Sequence, residues 1–457
     1  MNMMNVVVVG HGIESVALAY HLVGGGVRVT LLDTGSSSPA GGNVLRLPDG
    51  SLVDARPHVV DESAGGLREL LAACGLEDEL VTGDVAPGLY FGGRFFDLGR
   101  SRDILRFPAL RFFEKMRAGL LGTFGHELFR MGSHELDAMP ADAWLCRLFG
   151  RDSLKRFWTP LLEARYGTPP ERLPALLLHQ ILVEEARHRA RRVAVLRCGV
   201  HGLIRGLKGA LSEAGVLIRE GFSVSRVVAR DQDVVVRGQG GILHARRVVL
   251  ATTPGAARRL LVGRAGALAS CPVHTRRRAV LCGAFVVSGE PCPGLPVTVA
   301  GGRMPFEEVV DPGAVLRGRA RGGPRVVYVK HRTRPASRFF RLRDNQVLDR
   351  FEEALRKLWP GDGSALEIEG RALSRCLEDE PAFIRGFLAK RPPIEVIPSR
   401  VYLADASNIY PSSITIESRI GLARRVADWV LARESLQRAG RHATRGRSQG
   451  KTIAARI

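Results

Sequence analysis

The run Val6-Val7-Val8-Val9-Gly10-His11-Gly12-Ile13-Glu14-Ser15 limits the fold more than any other part of the chain. Four consecutive valines offer no polar face, so they read as a parallel strand covered on both sides. A glycine turn and a helix over about residues 15–23 follow, and Asp33 closes a second apolar strand, Val27 to Leu32. Strand, G-x-G turn, helix and an acid about twenty residues on is the pattern with which a Rossmann unit grips a dinucleotide. Gly10 permits the tight turn and Gly12 lets backbone approach a pyrophosphate, while the helix directs unpaired N–H groups and its positive dipole end at the phosphates. Ser15 stands where a third glycine is usual. The alternative is a glycine-rich strand–helix turn with no ligand.

With 457 residues the chain exceeds one ordinary core, which predicts two intertwined domains or one large domain with an insertion. No apolar run approaches the roughly eighteen residues of a membrane span, and the first apolar stretch is too short for a signal peptide, so the expected location is the cytoplasm. The seven cysteines are scattered without C-x-x-C spacing, arguing against a zinc site or a disulfide frame, and no metal is expected. A formal charge of +21 raises nucleic acid as a partner, but no helix-turn-helix, zinc finger or aromatic-basic motif accompanies it, and none is expected. The basic tail, residues 433–457, reads as disordered. It is either solvated or in peripheral contact with an anionic membrane surface.

Pro48-Asp49-Gly50-Ser51 reads as the turn between short strands near Val44 and Leu52. Residues from about 62 to 195 read as mostly helical, including an amphipathic stretch from Phe107 to Leu121. From Gly199 a helix to Ala214 leads back into strands ending at Ala251-Thr252-Thr253-Pro254. Strands near 280–286 and 326–329, a helix from about Asp344 to Leu358, the strand Val401 to Asp405 and a helix from about Thr415 to Ala432 complete the chain.

The order of these pieces resembles the FAD-dependent oxidoreductases of the amine oxidase, protoporphyrinogen oxidase and phytoene desaturase superfamily over nearly the whole chain, up to about residue 432. Four places carry the resemblance. They are the glycine turn through Asp33 with Gly41-Gly42 and Asp54-Ala55-Arg56-Pro57-His58; Phe157-Trp158-Thr159-Pro160-Leu161-Leu162 to Tyr166-Gly167; Gly199-Val200-His201-Gly202-Leu203 through Val224 to Ala251-Thr252-Thr253-Pro254; and Leu403-Ala404-Asp405 with Asn408 to Pro411 and the helix behind. The implied fold is α/β, a Rossmann-type FAD-binding domain (1–60, 196–262 and 398–432) interleaved with a mixed α+β substrate domain (61–195 and 263–397).

The resemblance implies FAD as cofactor. Gly10, Gly12 and Ser15 would face the pyrophosphate, Asp33 the adenosine ribose, Gly41 and Gly42 the phosphate and ribityl region, and Val224 the adenine. Asp405 would accept from the ribityl chain, and the turn holding Ile414 and Thr415 would direct a helix dipole at the flavin ring. His58 and Lys330, with His331, are the candidates beside the ring. The expected reaction is hydride removal from a C–H or C–N bond of a small, hydrophobic substrate to flavin N5. Departures occur at Asn43, Arg56, Ala404 and Ile416, and Asp311-Pro312 replaces a glutamate–histidine pair of one subgroup. They keep open a non-catalytic nucleotide-binding protein acting through a protein partner. A reduced-flavin enzyme acting on a nucleotide sugar is the other alternative.

Overall fold

The computed structural model describes residues 5–35, 44–62, 64–97, 107, 110–111, 131–187, 192–261, 268, 277–290, 292–302, 304–316, 325–359, 366–377 and 380–433. Gly41, Gly42, Asn43, most of the Phe107 to Leu121 stretch and nearly all of the basic tail lie outside them.

Two sheets organise the molecule. The first runs, in spatial order, Leu217–Glu220, Arg28–Asp33, Asn5–Gly10, Arg247–Ala251, Val401–Leu403 and Glu395–Ile397. All its pairings are parallel except the last. The central strand is buried on both sides, and its valines alternate. Val6 and Val8 pack on the helices Ile13–Gly24, Gly199–Glu213 and 416–433, whereas Val7 and Val9 pack on a three-stranded antiparallel sheet formed by Val224–Ala229, Val234–Gly238 and Gly241–Ala245. The continuous valine run is therefore a consequence of two covered faces.

The closing helix 416–433 is clamped at both ends. Near its start the Glu417 carboxylate accepts from Gly66 N and Leu67 N at 2.8 and 2.9 Å, capping the helix Gly65–Ala72 from a remote part of the chain. Near its end the fully buried Arg247 donates to the Val430 carbonyl. A carboxylate at a helix N-terminus and a guanidinium at a C-terminus both complement the helix dipole.

The second sheet has seven strands, ordered Glu367–Cys376, Ala279–Ser288, Arg325–Thr333, Glu308–Val310, Val297–Ala300, Gly88–Phe91 and Arg94–Asp97. One face carries Leu281, Phe285, Val327 and Val329 under the helix Asp344–Leu358. The opposite face carries Cys282, Ala284, Val310 and Tyr328, packed against Leu47 and Val195.

The expectation of a mostly helical stretch over 62–195 is corrected between residues 80 and 97. Leu80–Gly83 pairs with Val193–Leu196, and Gly88–Phe91 with Arg94–Asp97 forms a hairpin on the edge of the second sheet. Gly92 and Gly93, at φ 58° and 82°, supply the two positive-φ residues of a tight hairpin turn, between aromatic residues that favour strands. The strand Glu395–Ile397, assigned by sequence to the substrate domain, is instead the edge of the first sheet, drawn there by its antiparallel pairing with Val401–Leu403. The segment Val44–Arg46 with Leu52–Asp54 is the expected hairpin.

Asp311 explains one departure. Its fully buried carboxylate accepts from Cys292 N and Gly313 N, each at 2.9 Å, and from Arg325 Nε at 3.1 Å. A glutamate would carry its oxygens one methylene too far for both amides. Asp311→Ala strands these donors and is expected to cost about 3–5 kcal/mol, seen as a lowered urea midpoint, with Asp311→Asn losing less.

Candidate functional site

The chain steps from Asn5–Gly10 to Arg28–Asp33 on one side, whereas the strand on the other side, Arg247–Ala251, arrives more than two hundred residues later. A crevice therefore opens at the carboxyl ends of the central strands, where sheets of this kind bind ligands. Gly10 is in register with Asp33 on one side and Ala251 on the other. A Cβ at Gly10 would lie 2.6 Å from the Ala251 carbonyl oxygen, so only glycine allows the strands to close here. Ser15, at the third-glycine position, turns its hydroxyl back to donate to Gly12 O at 2.8 Å. It is buried, and so fits between helix and strand.

Asp33 is buried at its strand end. One carboxylate oxygen accepts from Gly35 N at 2.8 Å, and the other pairs with Lys208, which also reaches Glu220 at 2.7 Å. Burial pulls the Lys208 ammonium down, but hydrogen bonds to Asp33 and Glu220 outweigh it and the pKa is raised. Lys208 was not predicted; its spacing from Asp33 gives no signal.

Glu14 occupies the first turn of the helix Ile13–Gly24 and forms an ion pair with Arg419 of the closing helix. Its Oε2 lies 3.2 Å from where a Gly12 Cβ would be. Burial raises the carboxyl's pKa, yet the Arg419 charge and its own backbone N–H overcome this and hold it below the usual range. An internal carboxylate thus sits on the amide cradle that suits a phosphate.

Asp54 caps the helix Gly199–Glu213 from outside: Oδ2 accepts from Val200 N and Oδ1 from His201 N, both at 2.9 Å, and His201 Nδ1 is 2.8 Å from Oδ1. Four residues on, His58 feels Asp54, Arg56, Arg419 and Lys330. Burial, opposed by Asp54 and reinforced by the three cations, pushes its pKa down to about 4. His58 therefore lies in electrostatic reach both of Arg419, the partner of Glu14, and of Lys330 on the second sheet. Lys330 shares its strand face with Tyr328, whereas His331 points to the opposite face, 2.8 Å from Glu307 and edge-on to Phe339.

Asp405 follows the strand Val401–Leu403 and is nearly fully buried. Its Oδ1 pairs with Arg277 Nη1 at 3.0 Å and its Oδ2 accepts from Ser407 N at 2.9 Å. Ala404 and Ile416 are core residues packed with Val8 and Ile13, so the bulk of Ile416 goes into the interior. Thr415 is exposed and caps the closing helix by accepting from Ser418 N at 3.1 Å. Ile414 packs against apolar cores, and Val224 packs on the far face of the first sheet. The structure thus brings Gly10, Gly12, Ser15, Asp33 and Asp405 to one edge, and places Val224, Ile414 and Thr415 at its margins. Among the described residues no group of three or more His, Cys, Asp or Glu is arranged to hold a metal, and no helix is long and apolar enough to cross a membrane.

The family model for flavin-containing amine oxidoreductases matches residues 16–414. No curated protein matches. Among solved structures, one assigned as a protoporphyrinogen oxidase from Exiguobacterium sp. 255-15 is 18% identical with a TM-score of 0.73, covering 95% of this chain and 100% of that one. Putrescine oxidase bound to putrescine is 14% identical (TM-score 0.66, covering 94% and 99%). Reduced UDP-galactopyranose mutase is 13% identical (TM-score 0.70, covering 94% and 96%).

The residues present fit FAD. Gly10 puts no side chain at the strand ends, and Asp33 and Asp405 stand at two of them. The Glu14 carboxylate lies where phosphate charge would gather, and Arg419 is the cation the two would share. Glu14→Gln removes that competitor and keeps the side-chain volume. It is expected to tighten FAD binding by roughly tenfold in a fluorescence titration of flavin-free protein; unchanged or weaker binding contradicts this placement.

Proposed function

Because the chain belongs to the flavin-containing amine oxidoreductase family, whose model spans residues 16–414, we propose that this FAD-dependent oxidoreductase takes a hydride from a C–H or C–N bond of a small organic substrate. The observation that carries the reading is the meeting of Gly10, Asp33 and Asp405 at the carboxyl edge of the first sheet, with His58 in electrostatic reach of Lys330 on the second.

When bound, FAD supplies the two-electron acceptor, with N5 as the hydride-receiving atom. The chain's own residues do the rest. The backbone from Gly10 to Gly12 and the helix Ile13–Gly24 hold the pyrophosphate, with Arg419 as counter-charge. Asp33 accepts an adenosine ribose hydroxyl and Asp405 a ribityl hydroxyl. The closing helix adds positive potential at its N-terminus. His58, pushed down to about 4, is neutral at pH 7 and acts as a hydrogen-bonding group, leaving Lys330 as the cation beside the substrate. Apolar side chains on the helix Thr159–Tyr166 and the hairpin Gly88–Asp97, packed with Phe157, suit a hydrophobic carbon skeleton. The mutase-like alternative has only the shared fold behind it, and Ser15, Ala404 and Ile416 are accommodated by packing, which weakens the case for a degenerate, partner-binding protein.

The test is the absorbance spectrum of protein purified from FAD-supplemented cells, with the released cofactor identified after denaturation. Two flavin bands are expected, and Asp33→Ala should raise the FAD Kd roughly tenfold to a hundredfold by removing a hydrogen bond to a charged acceptor. Colourless protein that also fails to bind added FAD overturns the proposal, as does an Asp33→Ala variant that binds FAD as tightly as the parent.

A further inference from the structure

Arg332 is the least satisfied charged group among the described residues. It is the next-to-last residue of the strand Arg325–Thr333, on the face that also carries Lys330, and only 9% of its side chain is exposed. Nη2 donates to Glu308 Oε2 at 2.5 Å, but Nε and Nη1 are buried with no hydrogen-bond partner among the described residues. Native proteins satisfy nearly all buried donors, and a guanidinium with two idle nitrogens is costly unless something else accepts from them.

The surroundings indicate the sign of that acceptor. Glu308 lies opposite Lys330 in the neighbouring strand. Burial would raise its pKa, yet Arg332, Lys330 and Arg165 hold it down at about 2. Other carboxylates are near: Glu307 and Glu380 also act on Arg332, but Glu307 is taken up by His331 Nδ1 and by the Arg332 amide. Arg278 borders the same place. A Cβ at Gly167, which ends the helix Thr159–Tyr166 at φ 53°, would lie 3.7 Å from Arg332 Cβ and 3.9 Å from Arg278 Nε. Arg278 Nη2 donates to Thr168 Oγ1 at 3.0 Å, while the adjacent Arg277 reaches Asp405 at 3.0 Å. Arg278, which meets Arg332 across Gly167, is therefore one residue along the chain from the contact that joins the second sheet to the proposed flavin edge.

We infer that the Arg332 guanidinium, flanked by Lys330 and Arg278, receives an oxyanion of the substrate, a carboxylate or a phosphate. Nε and Nη1 lie on different edges of the guanidinium, so an oxyanion takes one of them together with the second N–H of Nη2, a planar paired-donor geometry that an ammonium lacks. The substrate class is thus an amphiphilic anion whose charged end is held at Arg332 and whose apolar part lies toward the Phe157 cluster. Arg332 is a specificity-determining residue and takes no part in the hydride step.

This inference rests on the oxidoreductase reading, so the test uses ligand binding, which reads out whether or not flavin is present. Thermal midpoints and Kd values are measured on the full chain with decanoate, decyl phosphate, decylamine and decanol. Decanoate or decyl phosphate should bind and raise the midpoint while the amine and alcohol do not, and the stronger of the two anions identifies the carboxylate or phosphate source. Arg332→Lys, which keeps the charge opposite Glu308, should weaken the anion by at least about tenfold. The paired change Arg332→Met with Glu308→Gln should do the same without leaving a buried charge alone. Equal binding of all four probes, preference for the amine, or anion binding that both variants retain overturns the inference. A chain that binds the anion through Arg332 but takes up no FAD overturns the oxidoreductase reading alone.

Discussion

The site depends on the contact between Gly10 and Ala251. Five consecutive parallel pairs align the strands Asn5–Gly10 and Arg247–Ala251, and the last pair is formed by these two residues. At this closest approach the space for a side chain is already taken by the Ala251 carbonyl and methyl groups. Any residue larger than glycine would push the strands apart at the edge where the ligand enters. Gly10 is also in register with Asp33, and the helix Ile13–Gly24 starts three residues later, so both meet the sheet at this contact.

Because the first sheet is gathered from distant parts of the chain, something must hold those parts in register. Carboxylates do much of this. Asp54 caps the helix Gly199–Glu213, Glu417 caps Gly65–Ala72, and Asp405 caps the single turn Ala406–Ile409. Each contact satisfies backbone donors that a helix start leaves open, at about 0.5–2 kcal/mol apiece. The same links fix the segments that carry His58, Arg419 and Asp405, so the fold's cross-bracing and the site's geometry share their residues. The second sheet is tied in by Arg277 on Asp405, and its Lys330 and Arg332 face the junction.

Local pattern made much of this readable. The valine run, the acid ending the next strand and the Pro48 to Ser51 turn each carry their signal within a few residues, and the helix Asp344–Leu358 shows its apolar stripe plainly. The Gly88–Asp97 hairpin was missed although Gly92-Gly93 is a turn signal, because the helical periodicity on either side outweighed it. Lys208, the Glu14–Arg419 pair and Arg332 were illegible for another reason. Their partners are set by tertiary packing, and an arginine in a chain with 67 basic residues carries no mark of being buried. The departures at Ala404, Ile416 and Asp311 read as losses in sequence and turn out to be packed or hydrogen-bonded parts of the core.

The central claim is that cofactor is held at one edge, between the phosphate turn and the closing helix. Hydrogen–deuterium exchange with and without FAD tests it directly. Slowed exchange at the amides of residues 10–16, 33–35, 54–58 and 404–420 is the predicted result. Protection elsewhere with none at residues 10–16 would contradict the account.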